Sequence, residues 1–157
     1  MIIGIVGHEG AKFSPKGELD ARSIITSLLT DPEVTEFVSG GCHLGGIDIW
    51  AEEIAASLNL PSTIYLPDVL RWEGPDVRDQ GEMVIGFKER NLQIAYSCDI
   101  VHCIVVSDLP STYRGRRFSS CYHCDTDDHV KSGGCWTAHR APQAQWHIVS
   151  QLQASDS

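Results

Sequence analysis

Short apolar runs rich in β-branched residues alternate with amphipathic stretches along this chain, and this alternation constrains its fold more than any other feature. The strands are predicted at residues 2–6, 34–38, 62–67 and 99–106. The helices are predicted at residues 16–29, 47–58, 82–97 and 136–151. Strands that are apolar on both faces and alternate with helices are typical of a parallel sheet covered on both sides. The sequence therefore predicts an α/β protein with a Rossmann-like, doubly wound parallel sheet and helices on both faces.

The length of 157 residues is that of one ordinary domain, which can bury a core without disulfides. We predict a single domain over residues 1–150 and a flexible polar tail at residues 151–157. Residues 107–131 carry no periodic apolar pattern, so the segment 107–135 is interpreted as an insertion in the fold. The N-terminal apolar run is short and has no basic segment before it, so we expect a buried strand there and not a signal peptide.

The charge balance restricts the classes of partner. Lys and Arg number 12 and Asp and Glu number 21, which gives a net charge of −9. A surface this acidic repels phosphate backbones and anionic lipids, so it argues against nucleic-acid and membrane binding. No stretch approaches the roughly 18 apolar residues of a membrane span. Six cysteines without a secretory signal are typical of a reducing compartment. We therefore expect a cytoplasmic protein whose cysteines are free or bind metal.

Three glycine turns are predicted along one edge of the sheet, at residues 7–10, 39–46 and 132–135. Glycine lets the backbone approach an anion closely, and a helix that begins there points unpaired amides at the ligand. Ligands of such sheets bind at the carboxyl ends of the strands. The turns therefore predict one anion-binding pocket, and Gly7, His8 and Glu9 of the first turn are expected to line it.

Three segments, "VSGGCHLGGIDIWAEEIA", "GFKERNLQIAYSCDIVHCIVV" and "KSGGCWTAHRA", resemble the SLOG superfamily in their order and spacing. This is the Rossmann-like fold shared by the DNA-processing protein DprA, the cytokinin-activating phosphoribohydrolases and the YspA-like proteins. The resemblance covers roughly residues 1–150 apart from the excursion at 107–131. The residues that match the motifs are Gly40, Gly41, Gly46, Asp48, Ala51, Arg90, Asn91, Ser132, Gly133, Gly134 and Thr137.

The resemblance implies a nucleotide or nucleotide-derived small molecule held between the glycine turns. In that setting Arg90 neutralises a phosphate bidentately, and residues 132–137 supply backbone N–H groups and a hydroxyl. Asp48 accepts a hydrogen bond from a ribose hydroxyl; its other interpretation is a first-turn acid that balances the helix dipole. For Arg90 the other interpretation is a surface ion pair with Glu89 or Glu82.

The chain departs from the phosphoribohydrolase pattern at two positions. Trp136 stands where that pattern has its third glycine, and Arg140 stands where it has the catalytic glutamate. A cationic side chain cannot stabilise a developing ribosyl cation, so a binding or sensing domain is favoured. Two alternatives stay open. One is an N-glycosidic hydrolase or transferase that uses another carboxylate, such as Glu9; the other is a nucleic-acid adaptor in which Tyr122 and the arginines at 114–117 contact single strands.

Metal-ligating residue types are concentrated near the end of the predicted insertion. Cys121, Cys124, His129 and Cys135 form the pattern C-x2-C-x4-H-x5-C. Three thiolates and one imidazole are ligands that tetrahedral structural zinc prefers, and four protein ligands leave no position for an activated water. Metal binding of order 10 kcal/mol can order an insertion that has no core. The sequence therefore predicts a structural zinc ion, with His123 as an alternative to His129; the competing interpretation is buried free thiols.

Other residues near the expected pocket have open roles. Cys42 lies in the second glycine turn beside His43, where a thiol and an imidazole that face the pocket form a candidate nucleophile and base. Trp72 and Trp136 are candidates for stacking on a base. The motifs specify neither the base nor the number of phosphates of the ligand. Proteins of this fold commonly associate through helix faces, which favours a homodimer.

Overall fold

The structure, a computed structural model, describes residues 1–42, 44–74, 84–118, 120–141 and 143–151. The strands are β1 (Ile2–Gly7), β2 (Glu36–Ser39), β3 (Ser62–Ile64), β4 (Ile100–Val106) and β5 (Gln145–Val149). The helices are α1 (Pro15–Leu29), α2 (Ile47–Ser57), α3 (Phe87–Ser97) and α4 (Gly133–Ala138). A short 3₁₀ helix, Gly10–Lys12, lies between β1 and α1.

The described strands form one parallel sheet in the order β3-β2-β1-β4-β5. The chain first adds β2 and β3 on one side of β1, and then crosses to add β4 and β5 on the other side. The strand order therefore changes direction between β1 and β4, where Gly4 pairs with Val101 and Gly7 with Ile104. In doubly wound sheets the ligand crevice opens at such a point. The predicted α/β architecture with a parallel sheet flanked by helices is confirmed.

Two apolar layers cover the two faces of the sheet. The first layer packs residues of α1 and α2, such as Ile25 and Ala51, against Ile104 of β4. The second layer packs residues of α3 and α4, such as Ile94, against Val105. Neighbouring residues of β4 enter opposite layers because side chains alternate across a strand. This double burial is the reason that β4 is apolar at every position except His102.

The sequence around α1 shows how local chemistry positions a helix. Ser14 caps the helix, because its Oγ accepts a hydrogen bond from the Gly17 N–H at 3.0 Å. Pro15 occupies the first position, where the helix needs no N–H donor. Ile25 and Leu29 are spaced by four residues and are both buried against the sheet.

The prediction of one helix over residues 136–151 is wrong. α4 ends at Ala138, and residues 145–149 form β5, which pairs with β4. Trp146 packs in the second layer and Val149 in the first, which requires a strand, since residues three apart in a helix share a face. The missed signal is Pro142, because a proline inside a helix removes a backbone hydrogen bond and clashes with the preceding turn.

The helix predicted at residues 82–97 begins later, at Phe87. Gly86 precedes it, and the Gly86 N–H donates to Oε1 of Glu89 at 3.2 Å. Residues 82 and 83 of that prediction lie outside the described residues, as do residues 75–81 of the preceding loop and 152–157 of the predicted tail. Within the described ranges, every helix is too short or too polar to cross a lipid bilayer.

Candidate ligand cavity and metal centre

A cavity of about 440 Å³ lies at the carboxyl ends of the central strands. Its walls come from the segment after β1, the turn after β2 with the first turn of α2, the helix α3, and the start of α4. Small-molecule sites commonly enclose about 300–1,000 Å³. The cavity therefore has the size of a ligand site and the position that the strand order predicts for one.

The cavity brings together most of the residues that the sequence singled out for nucleotide binding. Those that line it are Gly7, His8, Glu9, Asp48, Arg90, Asn91, Ser132, Gly133, Gly134 and Thr137. The glycines of the second turn that the family resemblance adds, Gly40, Gly41 and Gly46, are not among the described lining residues. Their contact with a ligand stays a prediction, but the structure shows how two of them build the wall.

Glycine is required at two places in the turn after β2. Gly46 has a φ of +84°, and a Cβ there would collide with the backbone of His8 and Glu9. A Cβ on Gly40 would lie 2.6 Å from Nη1 of Arg90 and 3.1 Å from Oδ2 of Asp48. These glycines therefore allow the two turns and two buried charged side chains to pack together behind the cavity wall.

Arg90 and Asp48 are the buried charges of the wall, at 8% and 9% exposure. Nη1 of Arg90 donates to the Gly40 carbonyl, and its Nε donates to Oδ1 of Asn91 at 2.8 Å. Oδ2 of Asp48 accepts from the Cys42 N–H at 3.1 Å. Burial raises the pKa of Asp48 to about 6, although the charge of Arg90 opposes this. Among the described residues Oδ1 of Asp48 has no hydrogen-bond partner, so this oxygen can accept from a ligand.

The surface ion pair considered for Arg90 does not form with Glu89. Arg90 is buried, and Oε1 of Glu89 accepts instead from the N–H groups of Gly74 and Gly86, at 2.6 and 3.2 Å. These bonds lower the pKa of Glu89, with the bond from Gly74 as the largest cause. The other partner considered, Glu82, lies outside the described residues.

His8 lines the cavity, but both of its ring nitrogens are engaged by the protein. Its Nε2 donates to the Lys131 carbonyl at 2.7 Å, and its Nδ1 accepts from the Val106 N–H at 3.1 Å. The accepting role of Nδ1 places the proton on Nε2. Burial, helped by the charge of Lys12, lowers the pKa of His8 to about 3, so the ring is neutral near pH 7. His8 therefore ties β1 to the end of β4 and to the insertion.

Glu9 and Lys12 form the polar end of the cavity, beside β1. Oε1 of Glu9 accepts from the Tyr113 hydroxyl at 3.2 Å and lies 3.8 Å from Nζ of Lys12. Burial lowers the pKa of Lys12, and the charge of Glu9 opposes this effect. Burial and the same carboxylate raise the pKa of Tyr113. Because Tyr113 belongs to the insertion, the insertion helps to fix the polar end.

The start of α4 packs directly against β1. Oγ of Ser132 accepts from the Gly134 N–H at 3.1 Å, and a Cβ on Gly134 would lie 2.7 Å from the Gly7 nitrogen. Thr137 lies one turn further along α4, is 2% exposed and also lines the cavity. Arg140, which occupies the glutamate position of the resembled family, is exposed and lies 3.5 Å from the centre of the Trp136 ring.

Sequence reasoning missed five of the described lining residues: Val6, Lys12, Leu44, Phe87 and Ile94. Lys12 had a usable signal, because it lies two residues beyond the first glycine turn. Cys42 and Trp72, which the sequence did bring forward, line the cavity as well. Burial raises the pKa of Cys42, which keeps its thiol protonated and argues against an activated nucleophile. His43, its proposed base, lies outside the described residues.

Cys121, Cys124, His129 and Cys135 converge into one cluster, which we call the metal cluster. Their ligand atoms all lie within 4.8 Å of one another, and this group can hold a metal ion. Sulfur atoms around a tetrahedral zinc are separated by about 3.8 Å. Small movements of the four side chains would therefore place their ligand atoms around one ion. Of the two histidines considered, the structure brings His129 into this group and not His123.

The surroundings of the metal cluster also fit a cation. His129 is 3% exposed; its Nε2 lies 3.5 Å from Sγ of Cys135, and its Nδ1 has no partner among the described residues. The Cys103 thiol of β4, 3.7 Å from Sγ of Cys135, raises the pKa of Cys135 together with burial. Burial raises the pKa of Cys124. A bound divalent cation reverses this preference, because it favours thiolates.

Comparison of the chain with protein-family models, curated proteins and solved structures gave no match. The chemistry of the cavity and of the metal cluster therefore carries the functional argument.

Proposed function

We propose that the protein binds a nucleotide or nucleotide-derived small molecule in the cavity, as a binding or sensing domain of the SLOG type. The observation that supports this proposal is that residues distant in the sequence converge on one cavity. Residues selected from three separate segments of the sequence, exemplified by Glu9, Arg90 and Gly134, line a single cavity of ligand size. A chance combination of turn glycines and surface charges would be scattered over the molecule.

The side chains of the cavity match the parts of a nucleotide. Lys12 supplies positive charge for a phosphate, Arg90 adds a second positive charge to the wall beside Asp48, and the hydroxyl of Thr137 supplies a hydrogen-bond donor. Oδ1 of Asp48, which has no partner within the described ranges, accepts from a ribose hydroxyl. Since Glu9 and Asp48 offset part of the positive charge, the cavity suits a ligand of low charge better than a triphosphate.

We also propose that the metal cluster binds one structural zinc ion. Three thiols and one imidazole within 4.8 Å of one another are the ligand set that zinc prefers over magnesium or calcium. Cys121, His129 and Cys135 are buried, and four protein ligands complete a tetrahedron. The ion would hold the insertion against β4 and α4, and it would not activate water.

Binding without turnover is supported by the position of Arg140, whose guanidinium stacks on Trp136. N-glycosidic hydrolysis is the second candidate, because Glu9, the carboxylate that could replace the missing glutamate, lines the cavity together with Asp48. Oε1 of Glu9 already accepts from the Tyr113 hydroxyl and lies near Nζ of Lys12, so the protein itself occupies this oxygen. The nucleic-acid adaptor is disfavoured by the net charge of −9 and by exposed Asp125 and Asp127 in the same insertion.

The proposal is tested by titrating nucleoside monophosphates into the protein by calorimetry, with chromatography of the mixture for released base. We expect saturable binding, no release, and at least roughly tenfold weaker binding in Lys12→Gln, because one phosphate-facing cation is lost. Lys88→Gln is the matched control, since Lys88 pairs with Glu73 on the surface. Absence of binding by every nucleotide would overturn the proposal, and release of base would favour the hydrolase.

A further inference from the structure

A second part of the cavity wall, distinct from the polar end, is aromatic. Trp72 and Phe87 line it from the loop before α3 and from the first turn of α3. Trp72 makes an edge-to-face contact with Trp136 of α4, with 4.7 Å between ring centres and 84° between planes. Trp72 nevertheless remains 45% exposed, so its ring is supported on one side and accessible on another.

The backbone around Trp72 is fixed before any ligand binds. The first-turn N–H groups of α3 donate to this segment: Phe87 N–H to the Arg71 carbonyl at 2.8 Å, and Lys88 N–H to the Trp72 carbonyl at 2.7 Å. Two residues further on, the Gly74 N–H donates to Glu89 at 2.6 Å. An aromatic ring held this way loses little conformational entropy when a second ring stacks on it.

The polar end and the aromatic side of the cavity are suited to different chemical groups of a ligand. The polar end holds Glu9 and Lys12 and is built from the connection after β1 and from the insertion. The aromatic side is built from α3 and α4, on the other face of the sheet. A ligand that satisfies both has a flat, unsaturated ring system at one end and an anionic group at the other.

We propose that Trp72 is the base-binding residue of the cavity, and that the ligand is a nucleoside monophosphate whose heterocycle stacks on Trp72 while its phosphate lies toward Lys12. This inference rests on the proposed function, since it assigns the parts of that ligand. Stacking of a base on an aromatic side chain commonly changes affinity by roughly tenfold to hundredfold, because every base presents a π-face. Trp72 therefore contributes to affinity only for ligands that carry a base.

The test compares adenosine 5′-monophosphate with ribose 5-phosphate, which lacks the base. Both are titrated calorimetrically into the wild type, Trp72→Ala, Trp72→Phe and the control Tyr96→Ala, which removes an exposed aromatic from α3. We expect Trp72→Ala to weaken binding of the nucleotide at least roughly tenfold and to leave that of ribose 5-phosphate unchanged. Trp72→Phe should recover part of the loss, and Tyr96→Ala should change neither affinity.

The outcomes separate this inference from the proposed function. If wild type binds both probes equally, or if Trp72→Ala weakens both equally or neither, Trp72 does not bind the base, while the cavity remains a phosphate-sugar site. If wild type binds neither these two probes nor any other nucleoside monophosphate, both proposals are overturned. A spectroscopic readout is independent of affinity: nucleotide-induced quenching of tryptophan fluorescence should be present in wild type and reduced in Trp72→Phe.

Discussion

The metal cluster and the ligand cavity are built from opposite kinds of sequence. The four residues of the metal cluster lie within the fifteen residues from Cys121 to Cys135, whereas the cavity takes residues from Val6 to Thr137. Spacing alone identifies the first, because short gaps bring thiols to one ion. The second exists only after the sheet has placed distant segments at one edge. Local chemistry and topology therefore constrain function separately in this chain.

The two regions nevertheless share one element, α4. Cys135 contributes its thiol to the metal cluster, while Gly134 and Thr137 on either side of it line the cavity. Cys135 is fully buried, and its Sγ lies 3.7 Å from that of Cys103 in β4. A shift of α4 in response to one site would therefore move the wall of the other, and such coupling is reciprocal by thermodynamic linkage.

The largest effect is expected when the metal cluster is disrupted, and this experiment tests whether ligand binding in the cavity depends on the cluster. The double variant Cys121→Ser/Cys124→Ser should lower the zinc content from about one ion per chain to near zero, because two of four ligands are lost. Structural zinc contributes of order 10 kcal/mol in small zinc domains, so Tm should fall by roughly 10 °C or more. Affinity for adenosine 5′-monophosphate should fall with it, since α4 loses its anchor.

Cys98→Ser is the control for this experiment, because Cys98 is a buried thiol of the second layer that is not part of the metal cluster. It should retain zinc and nucleotide affinity. Elemental analysis, calorimetric unfolding and titration supply the three readouts. A double variant that lost its zinc and kept full nucleotide affinity would show that the shared helix does not couple the two regions.

A smaller effect concerns the cavity alone and depends on pH. The pKa of Asp48 is raised by burial from 3.8 to about 6, so the folded state favours the protonated acid. The stability that Asp48 contributes is therefore complete below about pH 4 and is lost as the pH rises through 6. Relative to Asp48→Asn, which mimics the protonated acid, wild type should lose about 3 kcal/mol of unfolding free energy across this range.

Denaturant titrations of both proteins between pH 4 and pH 7 measure this difference, with Asp20→Asn, an acid of α1 whose side chain is 46% exposed, as control. Binding should show the opposite trend, because a carboxylate is the better acceptor for a ribose hydroxyl. Nucleotide affinity of wild type should increase through pH 6 more steeply than that of Asp48→Asn, in which only the second ionisation of the ligand's phosphate, at about pH 6, contributes. A constant stability difference at all pH values would mean that Asp48 ionises as an exposed acid does.

The sequence predicted the strands most reliably where both faces of the strand are buried. β1 and β4 are apolar on both faces because two layers of helices cover them, and their runs of valine and isoleucine identify them without ambiguity. β5 was missed because it lies at the edge of the sheet, where Gln145 and Ile148 are exposed and the apolar pattern is incomplete. Edge position is a property of topology, so the run "QWHIV" alone did not reveal it.

The sequence predicted those lining residues of the cavity whose position calls for glycine or for a charged side chain. Gly134 was identifiable because close approach of two backbones needs glycine, and Arg90 was identifiable because it matches a motif of the resembled superfamily. The role of His8 was not identifiable, since its partners, Lys131 and Val106, are about one hundred residues away in the sequence. Phe87 and Ile94 look like ordinary core residues of a helix, and only the shape of the cavity distinguishes them.

The smallest effects are expected from two neighbouring glycines in the first turn of α4. Substitution of one should change stability, and substitution of the other should change ligand binding. A Cβ on Gly134 would lie 2.7 Å from the nitrogen and 3.0 Å from the Cα of Gly7. Backbone atoms cannot move aside as a side chain can, so Gly134→Ala should cost about 1–3 kcal/mol of unfolding free energy, measured by denaturant titration. A Cβ on Gly133 meets no heavy atom within 4 Å among the described residues.

Gly133→Ala should therefore keep or slightly raise stability, because alanine favours a helix over glycine by up to about 1 kcal/mol. Gly133 lines the cavity, however, so the added methyl group occupies space that a bound nucleotide needs. We expect Gly133→Ala to weaken nucleotide binding at constant Tm, and Gly134→Ala to lower Tm. Unchanged nucleotide affinity in Gly133→Ala would mean that the bound ligand does not occupy the space beside Gly133.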